Sequence, residues 1–149
     1  DLAALQYFNM TDNHLTALPD SLGQLANLVE LRLYNNQISH LPESIGNLSS
    51  LREIYLRNNQ LQDLPETIGI LSSLQILDCR NNDLQAVPES LGNLSNLLYL
   101  DLRGNKLTSL PNNLAQLNNL QKIDLRWNGF TEKSAMMLNL EEQGCLVYI

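Results

Sequence analysis

Apolar and polar residues follow one pattern along most of this chain, and it is clearest from Leu51 to Ser73. Leu51, Ile54, Leu56 and Leu61 carry the first half of that stretch, and Glu53, Tyr55 and Arg57 alternate with Ile54 and Leu56 at period two. Period-two alternation is the mark of a short strand with one face buried. The second half reads Leu64-Pro65-Glu66-Thr67-Ile68-Gly69 and then Leu71, the pattern of a proline-started turn with two inward apolar anchors. Both halves recur every 23 residues, with units starting at Leu5, Leu28, Leu51, Leu74, Leu97 and Leu120. A unit this short cannot bury its own apolar side, so in-phase copies must stack into a solenoid.

Columns taken across the units assign the remaining structural work. Position nine holds Asn13, Asn36, Asn59, Asn82, Asn105 and Asn128. A side chain that both donates and accepts can satisfy the backbone of a buried bend in its own unit and the next. The five prolines, Pro19, Pro42, Pro65, Pro88 and Pro111, open the return side. Proline suits a first helical position, and the acidic residues that follow suit the positive end of a short helical turn. Asp20, Glu43, Glu66 and Glu89 are thus expected to form an outer acidic row serving helix starts and solubility. Register is lost after Gly129. A helix over 131–143 with a Thr131 cap, stopped by Gly144, and a last strand over 145–149 are expected to cover the apolar end of the stack, with Met136 and Met137 as packing.

These residues resemble the leucine-rich repeat family, whose pattern is L-x-x-L-x-L-x-x-N-x-L. The 23-residue unit with its L-P-x-x-I-G tail is most similar to the type found in Ras-suppressor-like and bacterial intracellular repeat proteins. The resemblance implies an α/β horseshoe, with a parallel sheet on the concave side and short helical or 3-10 segments on the convex side. It also implies a role in binding other proteins. Repeats are expected over 1–130 and a C-terminal cap over 131–149. Because such repeats also occur fused to kinases, GTPases and ubiquitin ligases, a regulatory or substrate-recruiting part of a larger enzyme is the alternative. Asp1-Leu2-Ala3-Ala4 matches the tail of a unit, so a longer parent protein is expected.

Charge and chemistry narrow this picture. A net charge of −7 disfavours nucleic acid and anionic membrane, and no apolar run is long enough to span a bilayer. Cys79 replaces a core leucine, and Cys145 lies too many coils away to pair with it at about 4.8 Å per strand spacing. Family members outside the cell usually carry terminal cysteine clusters, so their absence here points to a reducing, cytoplasmic setting. Sequons at Asn9, Asn47 and Asn93 point weakly the other way. His14 and His40 fall in turns without a nucleophile or an orienting acid, and no metal, phosphate-loop or cofactor motif occurs. The reading is therefore of a protein without chemistry or cofactor of its own.

The informative surface is the polar side of the strands. Position three holds Tyr7, Glu30, Glu53, Ile76, Tyr99 and Lys122, and position five holds Asn9, Arg32, Tyr55, Asp78, Asp101 and Asp124. Position seven holds Thr11, Tyr34, Arg57, Arg80, Arg103 and Arg126, with Trp127 at the edge. Stacked arginines need counter-charge, and the aspartates two residues earlier on the same strand face supply it. One reading is an exposed, self-satisfied lattice worth little per pair. The other is a docking wall for a protein or peptide of acidic character, since Arg, Tyr and Trp are the residue types enriched at binding hot spots. The candidate contacts are Arg32, Tyr34, Tyr55, Arg57, Asp78, Arg80, Tyr99, Asp101, Arg103, Asp124, Arg126 and Trp127. Charge reversal at Arg80 and Arg103 is expected to remove binding without touching the fold. The pattern fixes neither oligomeric state nor partner identity.

Overall fold

The computed structural model describes Leu2 and residues 4–149; Asp1 and Ala3, half of the expected repeat tail, lie outside the described residues. Seven strands of three residues each form one sheet in sequential order: β1 (Tyr7–Asn9), β2 (Glu30–Arg32), β3 (Glu53–Tyr55), β4 (Ile76–Asp78), β5 (Tyr99–Asp101), β6 (Lys122–Asp124) and β7 (Leu146–Tyr148). All six pairings are parallel. Tyr7 sits opposite Glu30, Glu30 opposite Glu53 and Glu53 opposite Ile76, so every sequence column becomes a physical column.

The opposite side carries five 3-10 turns, Asp20–Gln24, Glu43–Asn47, Glu66–Ile70, Glu89–Asn93 and Asn112–Gln116. Each proline stands one position before the turn, in extended conformation (Pro42 at φ −69, ψ 148), and not at the first helical position the sequence suggested. An acidic residue takes that place in the first four turns and Asn112 in the fifth, and the proline carbonyl accepts the first 3-10 bond, as from Ile45 N to Pro42 O at 3.0 Å. Close stacking explains the glycine of the first four turns, whose place Ala115 takes in the fifth. A Cβ on Gly69 would lie 2.3 Å from the Ser90 carbonyl oxygen, so any side chain there would push adjacent coils apart.

The core is one column of leucine and isoleucine between sheet and turns, including Leu31, Ile54, Leu77, Leu100 and Ile123 from the strands. Cys79 is fully buried within it, and both cysteines are free. The asparagine column closes each bend. Asn82 Nδ2 donates to Leu56 O (3.1 Å) and Cys79 O (2.9 Å), while its Oδ1 accepts from Leu61 N (3.0 Å), so one amide ties three segments of two coils.

The C-terminal helix α1 (Ala135–Glu142) is shorter than the sequence suggested, and Ser134 caps it rather than Thr131, accepting from Met137 N at 3.4 Å. Both residues are eligible caps. Packing decides between them, because a helix starting at Ser134 turns Met136, Met137 and Leu140 inward together. Gly144, at φ +95, ends the segment and turns the chain into β7. The register with β6 lengthens to 24 residues here, Lys122 facing Leu146, because a helix has replaced the turn.

Candidate functional site

The polar columns of the strands lie side by side on the exposed face of the sheet. Positions five and seven form two layers there. Asp78 and Asp124 lie at 7% and 1% exposure, beneath arginines that reach outward. Arg103 grips Asp101 side-on, Nε to Oδ1 at 2.9 Å and Nη2 to Oδ2 at 2.5 Å. Arg126 grips Asp124 in the same way, at 2.9 and 2.7 Å. Arg80 and Arg103 also lean toward the next strand, Arg80 Nη1 to Asp101 at 3.9 Å and Arg103 Nε to Asp124 at 3.6 Å. The counter-charge expected from the sequence is present, but at Asp78 and Asp124 it is a buried floor and not an exposed lattice, while Asp101 is half-buried at about the depth of Arg103. Asp78 and Asp124 therefore act by orienting guanidinium groups and lie too deep to serve as contacts themselves.

Depth separates the two aspartates chemically. Burial pushes the Asp124 carboxyl up, but hydrogen bonds from the Arg126 side chain and backbone, with the charges of Arg103 and Arg126, outweigh it and hold the group below its usual range. At Asp78 burial wins over the Arg80 backbone bond and charge, because Arg80 comes only to 3.5 Å, and the carboxyl is raised.

The N-terminal half of the face is aromatic. The Arg57 guanidinium stacks on Tyr34 at 4.3 Å and that of Arg32 lies over Tyr55 at 5.7 Å. Arg32 is also paired with Glu30. Burial, followed by the hydrogen bond to Glu53, raises the Tyr55 hydroxyl to about 12, so it stays a donor at all ordinary pH. Arg57 has no ion pair among the described residues, which leaves its charge open to a partner. Between the halves, Tyr55, Ile76 and Tyr99 border a shallow hollow of about 240 Å³ with Arg80 and Lys122 on its rim.

The face continues onto the cap. Tyr148 of β7 extends column five beside Asp124 and lies near Lys122 Nζ (5.1 Å) and Arg126 Cζ (5.3 Å). Neither Tyr148 nor Lys122 was singled out from the sequence as a contact. The period breaks before Tyr148, so no column pointed to it.

A second missed feature is column eight. Asp12, Asn35, Asn58, Asn81, Gly104 and Trp127 all adopt left-handed backbone, φ 54 to 63. Asp, Asn and Gly tolerate that conformation best, and their recurrence was visible in the sequence. The amides form a ladder, Asn35 to Asp12 (2.6 Å), Asn58 to Asn35 (2.6 Å) and Asn81 to Asn58 (2.8 Å). Trp127 alone departs from the residue types of this column.

His14 and His40 are exposed, bonded to Gln37 (3.4 Å) and Asp63 (3.1 Å) respectively. No helix among the described residues is long and apolar enough to cross a membrane.

A family model described as a leucine-rich repeat region matches residues 43–146, and one described as a leucine rich repeat matches residues 3–61. No protein of curated function matches significantly. Among solved structures, a leucine-rich repeat protein of Leptospira interrogans is 30% identical over 97% of this chain, at TM-score 0.74. The ectodomain of the membrane receptor kinase GASSHO1/SCHENGEN3 of Arabidopsis thaliana, in complex with Casparian strip integrity factor 2, is 29% identical over 99% of this chain at TM-score 0.86. An internalin of Listeria monocytogenes is 25% identical over 99% at TM-score 0.81. The chain spans 43%, 18% and 42% of those three proteins respectively.

Proposed function

The chain belongs to the leucine-rich repeat family, and on that premise we propose that it is a cytoplasmic protein-interaction module whose concave face takes a protein or peptide of acidic character. The observation that carries the reading is the vertical order of charge. Six of the nine basic residues but only five of the sixteen acidic ones stand on the strand face, so this face is slightly positive on a molecule of charge −7. Within it, Asp78 and Asp124 lie beneath and the guanidinium groups on top, so an approaching partner meets cations and aromatic rings first. Complementary charge of this kind steers and orients a partner more than it adds affinity. A leucine-rich relative solved in complex with Casparian strip integrity factor 2 supports a protein or peptide ligand.

The same layering changes the choice of test. Charge reversal at Arg80 or Arg103 would set a carboxylate against buried aspartates and harm the fold, contrary to what an exposed lattice would allow. Arg57 is the milder site, because it stacks on Tyr34 and makes no ion pair among the described residues, with Asp78 felt only as a more distant charge. R57E combined with R80Q is expected to lose at least ten-fold in affinity for a partner captured by the wild-type chain, with an unchanged circular dichroism spectrum. Wild-type affinity in that double variant would remove the concave site.

The alternative reading, a recruiting or regulatory part of a larger enzyme, is favoured by one observation: the chain aligns with 18% of a receptor kinase ectodomain. Reading the gene beyond Asp1 and Ile149 separates the two. A stop codon after Ile149 and only further repeats upstream would remove the alternative.

A further inference from the structure

We infer that Trp127, with Arg103 and Arg126, forms a subsite for a carboxylate side chain adjoining an apolar residue in the bound peptide. This deepens the concave-face reading and rests on it. Three observations converge on the site. Trp127 is 71% exposed at φ 62, a conformation that disfavours a bulky side chain, in a column otherwise filled by Asp, Asn and Gly. Folding alone would favour asparagine or glycine here, since the ring enters no core. The strained position instead projects the only tryptophan of the chain beside the arginine row.

The two guanidinium groups near the ring, at 6.0 Å for Arg103 and 5.8 Å for Arg126, are each already fixed. Their aspartates occupy the Nε and Nη2 edge of both groups, and no hydrogen bond from either Nη1 is made among the described residues. The end-on Nη1 and Nη2 edge is therefore open, and it has the geometry for a planar carboxylate. Arg126 is further held between Tyr148 and Trp127, so binding would fix little additional side-chain freedom. A carboxylate on these edges places the neighbouring side chain against the indole face, where an apolar group buries the most area.

The test uses the full chain as bait for phage-displayed random dodecapeptides. Enrichment of Asp or Glu within two residues of a Leu, Ile, Phe or Pro is expected, and no such enrichment would overturn the subsite. A synthetic copy of the winning peptide should shift the emission of Trp127 saturably; unchanged emission at calorimetric saturation would overturn it. W127N should weaken that peptide ten-fold or more while its melting temperature stays level or rises, because an asparagine accepts the left-handed backbone. A fall of several degrees would make Trp127 a structural residue. Tighter binding when phosphoserine replaces the selected acid would assign the edges to phosphate and overturn the carboxylate assignment. R57E, three strands away, keeps the two readings apart. Loss in R57E with full binding in W127N sinks the subsite only, while full binding in both sinks the concave face as well.

Discussion

Asp124 is where the charge layering can be weighed as stability. It is 1% exposed and meets Arg126 at 2.7 Å, Lys122 at 3.4 Å and Arg103 at 3.6 Å. Asp124→Asn keeps the shape and one acceptor but loses the charge that holds all three cations. A hydrogen bond to a charged group contributes roughly 1.5–3 kcal/mol, and the partial exposure of the cations reduces what is lost, so the substitution should cost about 2 kcal/mol. With a urea m-value of roughly 2 kcal/mol/M for a chain of this size, the unfolding midpoint should fall by about 1 M. Urea is preferred because an ionic denaturant would screen the pairs being measured.

The pH dependence has a definite sign. The folded state holds the Asp124 carboxyl below its unfolded value of about 3.9, so its contribution is complete above that pH and fades as pH falls through the lower folded value. The gap between wild type and D124N should therefore be full at pH 7 and should close at the acid end. Asp78 gives the opposite sign. Its folded carboxyl is raised, so ionisation above that value works against folding, and D78N, which can still accept from Arg80 N, should leave the midpoint unchanged or higher at pH 7. Equal losses in D124N and D78N, or none in D124N at neutral pH, would refute the account of the floor.

Two further outcomes follow from the core. Asn82→Ala strips the bend of three hydrogen bonds at 2.9–3.1 Å; Leu56 O keeps the Asn59 amide and Cys79 O the Asn105 amide, but buried Leu61 N loses its acceptor, which should cost about 2 kcal/mol in the same urea assay. A loss under 1 kcal/mol would mean that water replaces the amide. Cys79 should react with a thiol reagent only at the rate of opening, because it is fully buried and burial lifts its thiol well above the ordinary range. Labelling of Cys79 in the native state as fast as a free thiol would contradict that placement.

The repeat was legible because its period is set by chemistry that tolerates few substitutes. Leucine at the strand positions, asparagine at the bend and proline before the turn each satisfy a requirement repeated in every coil, so their columns determined the solenoid, the parallel register and the burial of Cys79 from the chain alone. The same columns brought Arg103, Arg126 and Trp127 to one edge. The depth of a side chain within a column was not legible, since alternation distinguishes two faces of a strand but not floor from surface on one face. Only the tertiary structure placed Asp78 and Asp124 under their arginines, because that depends on where the longer guanidinium side chains fold over them. Packing likewise chose Ser134 over Thr131 as the helix cap and carried Tyr148 onto the candidate face, across a break where no period remained to read. Trp127 stood in the sequence as an edge residue. Its strain emerged once the fold assigned column eight a left-handed backbone, a property that belongs to the bend between coils and not to any residue taken singly.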